Sequence, residues 1–284
     1  MEQPLFSIIT INRNNAPGLR ETLEATFAQT CRDYEQIVID GASTDASKDV
    51  IGQYAAKIAY SVSEPDSGIY NAMNKGIRAA RGKYMVFMNS GDYFWNPYVL
   101  EAFADAARQG EYDMLFGDYM LDDERGGAKR IPQADELGFG LFNPPLSWGI
   151  RHQSVFYRAD LVSRLGGYDE SYFIAADWKF TLRALAECKA TSLHLPVPVA
   201  FYDYRGLSSR KDNFEKSRAE ALRACEETIP AGTWREMQRE ARAFSRERKK
   251  KTRRAKSFSQ RIGDAAWHLA RRCARAYLKR RERA

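Results

Sequence analysis

The chain has 284 residues, 44% hydrophobic and 12% aromatic, enough for one large domain with a real core plus an appendage. Its four cysteines, Cys31, Cys188, Cys225 and Cys273, show no CxxC spacing, which argues against a zinc site or a disulfide framework and suits a reducing compartment. The net charge of +7 is uneven: Gly232 to Ala284 holds 19 Lys and Arg against 5 Asp and Glu, a balance of +14, so the preceding part stands at −7.

In chain order, Leu5 to Ile11 reads as a buried strand. Pro17 to Thr30 reads as a helix with Leu19, Leu23 and Phe27 on one face. Glu35–Ile39, Lys57–Val62 and Lys83–Met88 read as strands, separated by helices over Asp45–Ala55 and Gly68–Ala80. The last carries Ile69, Met73, Ile77 and Ala80 as its apolar face. Strands and helices alternating at this rhythm predict βαβ units and a parallel sheet.

After Asp92 the rhythm loosens. A helix is expected from Asn96-Pro97 to about Arg108, then a strand over Tyr112–Met120 and a hairpin tip over Asp122–Lys129. Asp135 to Gly149, with Pro144-Pro145, Phe142 and Trp148, reads as a loop against the active face. His152–Tyr157 is a strand, Tyr172–Glu187 contains a helix with Trp178, Leu182 and Leu185 inward, and Thr191–Leu195 and Val199–Tyr204 are two short strands. From Asn213 the pattern is helical, broken at Ile229-Pro230. The expected division is a catalytic domain over 1–212 and a basic helical extension over 213–284.

Three turns rich in Asp, Asn and Gly carry most of the functional information. They lie in Ile39-Asp40-Gly41-Ala42-Ser43-Thr44-Asp45, in Glu64-Pro65-Asp66-Ser67-Gly68 ahead of Ile69–Gly76, and in Phe87-Met88-Asn89-Ser90-Gly91-Asp92. A parallel sheet gathers such turns at the carboxyl ends of its strands, where open α/β sheets bind ligands. With Ser7–Asn14, His152-Gln153-Ser154-Val155-Phe156-Tyr157 and Ala175-Ala176-Asp177, they keep the order of motifs found in one family. From Ser7 to Tyr204 the chain resembles the inverting family 2 glycosyltransferases of GT-A fold, and most of all a subgroup that builds bacterial cell-surface polysaccharide. The resemblance implies an α/β GT-A fold, a mostly parallel central sheet flanked by helices, and transfer of a sugar from a nucleotide-sugar donor, a UDP-sugar by default, to a glycan or lipid-linked acceptor.

It also implies roles for particular residues. Thr10, Asn12 and Arg13 end the first strand and line the nucleotide site, where Arg13 can pair with phosphate. Asp40 faces the base, and Asp66 lies beside the nucleotide. Ser43, Thr44 and Asp45 read as a helix N-cap. Asn74 belongs to the donor face; Lys75 either reaches the donor or lies on a solvated helix face. Asn71 stands where many relatives have Asp. Asn89, Ser90 and Asp92 occupy the place of the acidic metal motif, with Asp92 its single carboxylate for Mg²⁺ or Mn²⁺. His152 touches the diphosphate, the metal or the acceptor. Asp177 aligns with the catalytic base, Ala176 replacing its usual acidic neighbour; Trp178 reads as core and Asp169 as a turn carboxylate.

The tail contains Arg248-Lys249-Lys250-Lys251 and an amphipathic stretch, Ile262 to Leu278, that fits an anionic membrane surface as well as a solvated extension or an oligomer contact. With no signal-peptide pattern over Met1–Phe6 and no run near ~18 apolar residues, the expected location is cytoplasmic, with peripheral attachment at the cytoplasmic face of the inner membrane through the tail. Two other functions stay open: a nucleotide-sugar-binding scaffold with weak catalysis, suggested by Asn89 and Gly91, and nucleic-acid binding through the tail, for which no recognition motif is seen.

Overall fold

The computed structural model describes residues 3–122, 128–133, 151–202 and 211–232, with positions 235 and 239 in addition. The chain divides into two compact units, Met1–Trp234 and Arg235–Ala284. The expected hairpin is present, with Tyr119–Asp122 paired antiparallel to Ala128–Ile131, while positions 123–127 of its tip, the Asp135–Gly149 loop and the amphipathic stretch of the tail lie outside the described residues.

The first unit is built on a nine-stranded sheet. Its opening half is β1 (Phe6–Asn12), β2 (Tyr34–Asp40), β3 (Tyr60–Ser63) and β4 (Tyr84–Phe87), all parallel in the order β3-β2-β1-β4. β1 and β2 are buried along nearly their whole length, polar Ser7, Thr10, Glu35 and Gln36 included, because helices cover both faces. Helix α1 (Ala16–Phe27) packs Leu19 and Leu23 against Val38, together with Val50 of α2 (Ser47–Gln53). On the opposite face, α3 (Ile69–Ala79) lies so close that a Cβ at Gly76 would run into Ile9. The chain winds from β1 out to β3 and then returns to the other side of β1 as β4. The switch point, where ligands bind such sheets, therefore falls at the carboxyl ends of β1, β2 and β4.

The second half is mixed. β5 (Tyr93–Phe94) and α4 (Val99–Gln109) lead into β6 (Met114–Asp122), β7 (Ala128–Ile131), β8 (Val155–Arg158) and β9 (Ser192–Tyr202). β8 runs antiparallel to both β4 and β6, and β9 is parallel to β6 and antiparallel to β5. Three differences from expectation have physical causes. The two short strands expected over 191–204 form one strand, carried past Pro196 and Pro198 by register shifts against β6. The strand expected from His152 starts at Val155, after a 3-10 turn over His152–Ser154. A seven-residue helix, α5 (Ala159–Leu165), follows β8 and stops at Gly166 and Gly167, whose φ values of 75° and 81° suit glycine. Next come α6 (Ala176–Ala186) and α7 (Phe214–Thr228). α7, which the sequence suggests is the start of the extension, packs against α6 inside the first unit.

Candidate active site

The three turns meet at the sheet edge. Asn12 ends β1 and donates through Nδ2 to Asp40 Oδ1 at 2.7 Å. Asn14, at φ 52°, accepts from Thr44 N–H at 2.8 Å and donates its own N–H to Ser43 Oγ at 2.8 Å. Asn15 caps α1 by accepting from Gly18 N–H, while its Nδ2 donates to Ser90 O at 3.0 Å. Asp45 accepts from Ser47 N–H at 3.0 Å and from Ala16 N–H at 2.9 Å, so it ties the entrance of α2 to α1. Gly41, in the first turn, faces Asp66 of the second. A Cβ there would collide with the Asp66 carboxylate and lie 3.4 Å from Arg13 Cδ, which places Arg13 and Asp66 side by side over a bare backbone.

Several expected contact residues are spent on building this wall. Asp40 is fully buried and accepts from Asn12, Ser43 N–H, Ser43 Oγ and Ser63 Oγ, joining the ends of β1, β2 and β3. Burial pushes its carboxyl up, but those bonds outweigh it and hold the group below its ordinary value. Thr10 is also fully buried, its hydroxyl accepting from Gln36 Nε2 at 3.0 Å. Asn74 bonds Tyr168 through both N–H and C=O and donates to Glu170, so it fastens α3 to the turn after α5. Lys75 donates to Pro65 O and pairs with Glu64, each at 2.8 Å, and thereby holds the loop carrying Asp66.

The third turn and Asp177 are linked through His152. Thr22 of α1 donates to Asp92 O at 2.7 Å and accepts from Gly91 N–H at 3.0 Å, which fixes the turn at Gly91 φ 103°. The Asp92 side chain accepts from Gln153 Nε2 at 2.9 Å. Asp177, in the first turn of α6, has Oδ1 3.1 Å from the Tyr70 hydroxyl and Oδ2 3.0 Å from His152 Nδ1. The other ring nitrogen of His152 is 3.2 Å from Asn89 Nδ2. A neutral imidazole protonated on Nδ1 donates to Asp177 and accepts from Asn89, satisfying both contacts. The Asp177 carboxylate keeps 26% of its surface open. Burial raises its pKa, and the hydrogen bond from His152, with those from Trp178 N–H and Tyr70, brings it below the ordinary value. Trp178 is buried, as expected for core, and Asp169 bonds Ser171 N–H and Lys179.

The site thus unites Asp177, His152 and Asn89 in one hydrogen-bonded chain, with Asp92 one residue-contact away through Gln153. Sequence spacing did not reveal Tyr70, Gln153 or Arg151. Arg151 packs its guanidinium over the rings of Tyr202 at 4.7 Å and Tyr119 at 5.8 Å and donates its backbone N–H to Gln133 Oε1. Tyr70 and Gln153 stand inside the quoted motifs, and that membership is the one signal that pointed to them.

A divalent cation can be tested against the donor set. Among the described residues no group of three His, Cys, Asp or Glu side chains could hold a metal. The third turn offers the Asp92 carboxylate and, nearby, Asn89 Oδ1, which is buried and has no hydrogen-bond partner among the described residues. One carboxylate with an amide oxygen does not cage a cation, but it fits Mg²⁺ or Mn²⁺ shared with the phosphates of a substrate.

Residues 7–160 match the family described as Glycosyl transferase family 2. The chain is 32% identical over 216 residues to a PGL/p-HBAD biosynthesis glycosyltransferase of Mycobacterium bovis (strain BCG / Pasteur 1173P2), covering 74% of this chain and 81% of that one. Its fold is similar to that of S. aureus TarS 1-349 in complex with UDP-GlcNAc, with TM-score 0.64 and 19% identity over 83% of this chain and 71% of that one. It is also similar to the mannosyltransferase PcManGT of Pyrobaculum calidifontis in complex with GDP-Man and Mn²⁺, with TM-score 0.59 and 20% identity over 97% of this chain and 81% of that one. These likenesses bear out the GT-A architecture expected from the sequence.

Proposed function

The chain belongs to glycosyl transferase family 2 and is a glycosyltransferase, and from that premise we propose that it transfers a sugar from a nucleotide-sugar donor, with inversion, to a glycan or lipid-linked acceptor in the synthesis of cell-surface polysaccharide. The observation that carries the reading is the Asp177 carboxylate, ionised, partly open, held by His152 and Tyr70 and linked through His152 to Asn89 of the third turn.

In this mechanism Arg13, Asn12 and Asp66 line the nucleotide side, with Asp40 holding that wall in shape and Lys75 fixing the loop of Asp66. Asp177 takes the proton of the acceptor hydroxyl as its oxygen bonds to the anomeric carbon. The bond from that carbon to the diphosphate oxygen breaks on the opposite face, and the diphosphate carries away the electron pair. His152 keeps the carboxylate oriented and ionised, and Asn89 fixes the imidazole. A cation held by Asp92 and the diphosphate would offset charge on the leaving group. UDP as the nucleotide is supported by family habit and by the TarS complex, and GDP by the PcManGT complex. Among the described residues no helix is long and apolar enough to cross a membrane, and the basic tail supports peripheral attachment to an anionic surface.

The test is release of nucleoside diphosphate from a panel of UDP- and GDP-sugars, with and without acceptor glycans. General-base assistance is worth ~10²–10⁴ in rate, so Asp177→Asn should cut turnover by that order while leaving nucleotide binding intact. Turnover at the wild-type rate in that variant would overturn the mechanism.

A further inference from the structure

The amides that lead into the base are gathered by a single carboxylate from another helix. Glu220, on α7, accepts from Phe173 N–H through Oε1 at 2.9 Å, and from Ile174 and Ala175 N–H through Oε2 at 2.8 and 3.1 Å. These are the residues immediately before α6, and Ala175 is its N-cap, with no side-chain cap of its own. Asp177 follows two residues later. Three consecutive amides turned towards one point fix the path of the backbone there, because a carboxylate accepting several N–H bonds forms charge-assisted bonds of narrow geometry. Ser217, Ala221, Ala224 and Cys225 are the buried face of α7, and Glu220 adjoins it, reaching the three amides with its own side chain.

We propose that Glu220 is a positioning residue for the reaction, which sets Asp177 against His152 and Tyr70 by capping the backbone that enters α6. This rests on Asp177 acting as the base. It goes further by placing part of the catalytic apparatus beyond residue 212, in a helix outside the stretch that resembles the family. The donor wall is built from β1, β2, β3 and α1 and makes no use of Glu220, so the effect should fall on turnover and spare nucleotide binding. A displacement of ~1 Å at a reacting group can cost ~10²-fold in rate.

The experiment compares full-length wild type with Glu220→Ala, Glu220→Gln, Ala224→Gly and Asp177→Asn. Turnover is read as nucleoside diphosphate release from the UDP- or GDP-sugar that the wild type accepts. Binding of UDP or GDP is read by calorimetry, and folding by thermal melting. Ala224→Gly loosens α7 at its buried face without touching the three amides. The expected result is a fall in kcat of about tenfold or more in Glu220→Ala, with donor KM and nucleotide Kd within about twofold of wild type. Ala224→Gly should lower the melting temperature and leave kcat within about twofold. If Glu220→Ala does not fold, Glu220→Gln decides, because it keeps the volume and one acceptor oxygen but turns an amide N–H towards other N–H groups; its kcat should fall while nucleotide Kd holds. Wild-type kcat in a folded Glu220 variant would overturn the proposal, as would an equal kcat loss in Ala224→Gly at the same melting temperature. Wild-type turnover in Asp177→Asn would instead overturn the reading of the base, and the positioning role with it.

Discussion

His152 Nδ1 lies 3.0 Å from Asp177 Oδ2. Burial alone would push this carboxyl up, and the imidazole is the largest influence bringing it down. In His152→Ala the burial remains while that influence is lost, so the carboxyl takes up its proton at higher pH. A general base works ionised. The acid limb of the kcat/KM profile should therefore move to higher pH in His152→Ala, whereas in wild type Asp177 imposes no such limb above its ordinary value. Tyr70→Phe removes a weaker bond and should move the limb less. A limb that stays put in His152→Ala would show that another group sets it.

Asp92 is the single carboxylate of the third turn, and the predicted consequence is a conditional one. Asp92→Asn should weaken UDP binding by about tenfold when Mg²⁺ or Mn²⁺ is present and leave it unchanged when the cation is chelated, since only the shared cation links this side chain to the phosphates. Calorimetry with and without EDTA reads both arms. Equal affinity in all four conditions would remove Asp92 from the metal site.

Gly41 leaves room for Arg13 and Asp66 side by side. In Gly41→Ala the new Cβ meets the Asp66 carboxylate, the end of a side chain in a partly exposed loop, so the loop gives way more readily than the sheet does. Melting temperature should change little, while nucleotide affinity falls several-fold as Asp66 and Arg13 move apart. A large stability loss at unchanged affinity would mean that these two residues do not line the nucleotide side.

What could be read in the sequence, and what could not, follows from the range over which each feature is encoded. β1, β2 and β4 are buried on both faces and show themselves by Ile-rich or aromatic apolar stretches, and the turns at their ends show themselves by Asp, Asn and Gly. Helix α5 leaves little trace in the sequence because seven residues give barely two turns of periodicity. β9 reads as two strands because Pro196 and Pro198 interrupt the β signal, yet register shifts carry the pairing through. Candidate site residues can be named where the residue type suits the chemistry and stands in a motif, as for Asp177 and Asp92. Partnerships cannot. Asn74 meets Tyr168 and Glu170 from 94 and 96 positions away, and Tyr70 meets Asp177 from 107, distances over which only the folded sheet brings side chains together. The same limit hid Glu220, whose neighbours on α7 resemble those of any charged helix.

The basic tail makes a separate prediction. If Gly232 to Ala284 holds the protein on anionic lipid, each Lys or Arg near the surface adds about 1 kcal/mol, and liposome flotation should depend on phosphatidylserine and fall with salt. A chain ended after Pro230 should no longer float yet keep its turnover on a soluble acceptor. Flotation that persists in the shortened chain would place the lipid contact elsewhere.

Lys179 of α6 bonds Glu227 of α7 and also Asp169, and this junction gives the docking of α7 an acid limit. The Glu227 carboxyl is lowered from 4.5 to about 2, first by the bond from Lys179 and then by that from Arg223. At Asp169 burial pushes upward, but Lys179 and Ser171 outweigh it and take the group from 3.8 to about 2. Both carboxyls bind protons more weakly folded than unfolded, so the unfolded chain holds the excess protons and stability rises with pH across the interval. Their contribution is complete above about pH 4.5 and is lost as pH falls towards about 2. Lys179→Met deletes the cation common to both. Its melting temperature should lie below wild type at pH 7, and the gap should narrow progressively as the buffer is taken from pH 4.5 towards pH 2.5, because wild type then loses what the variant never had. A gap of constant size over that range would mean that the ion pairs around Lys179 do not stabilise the helix that carries Glu220.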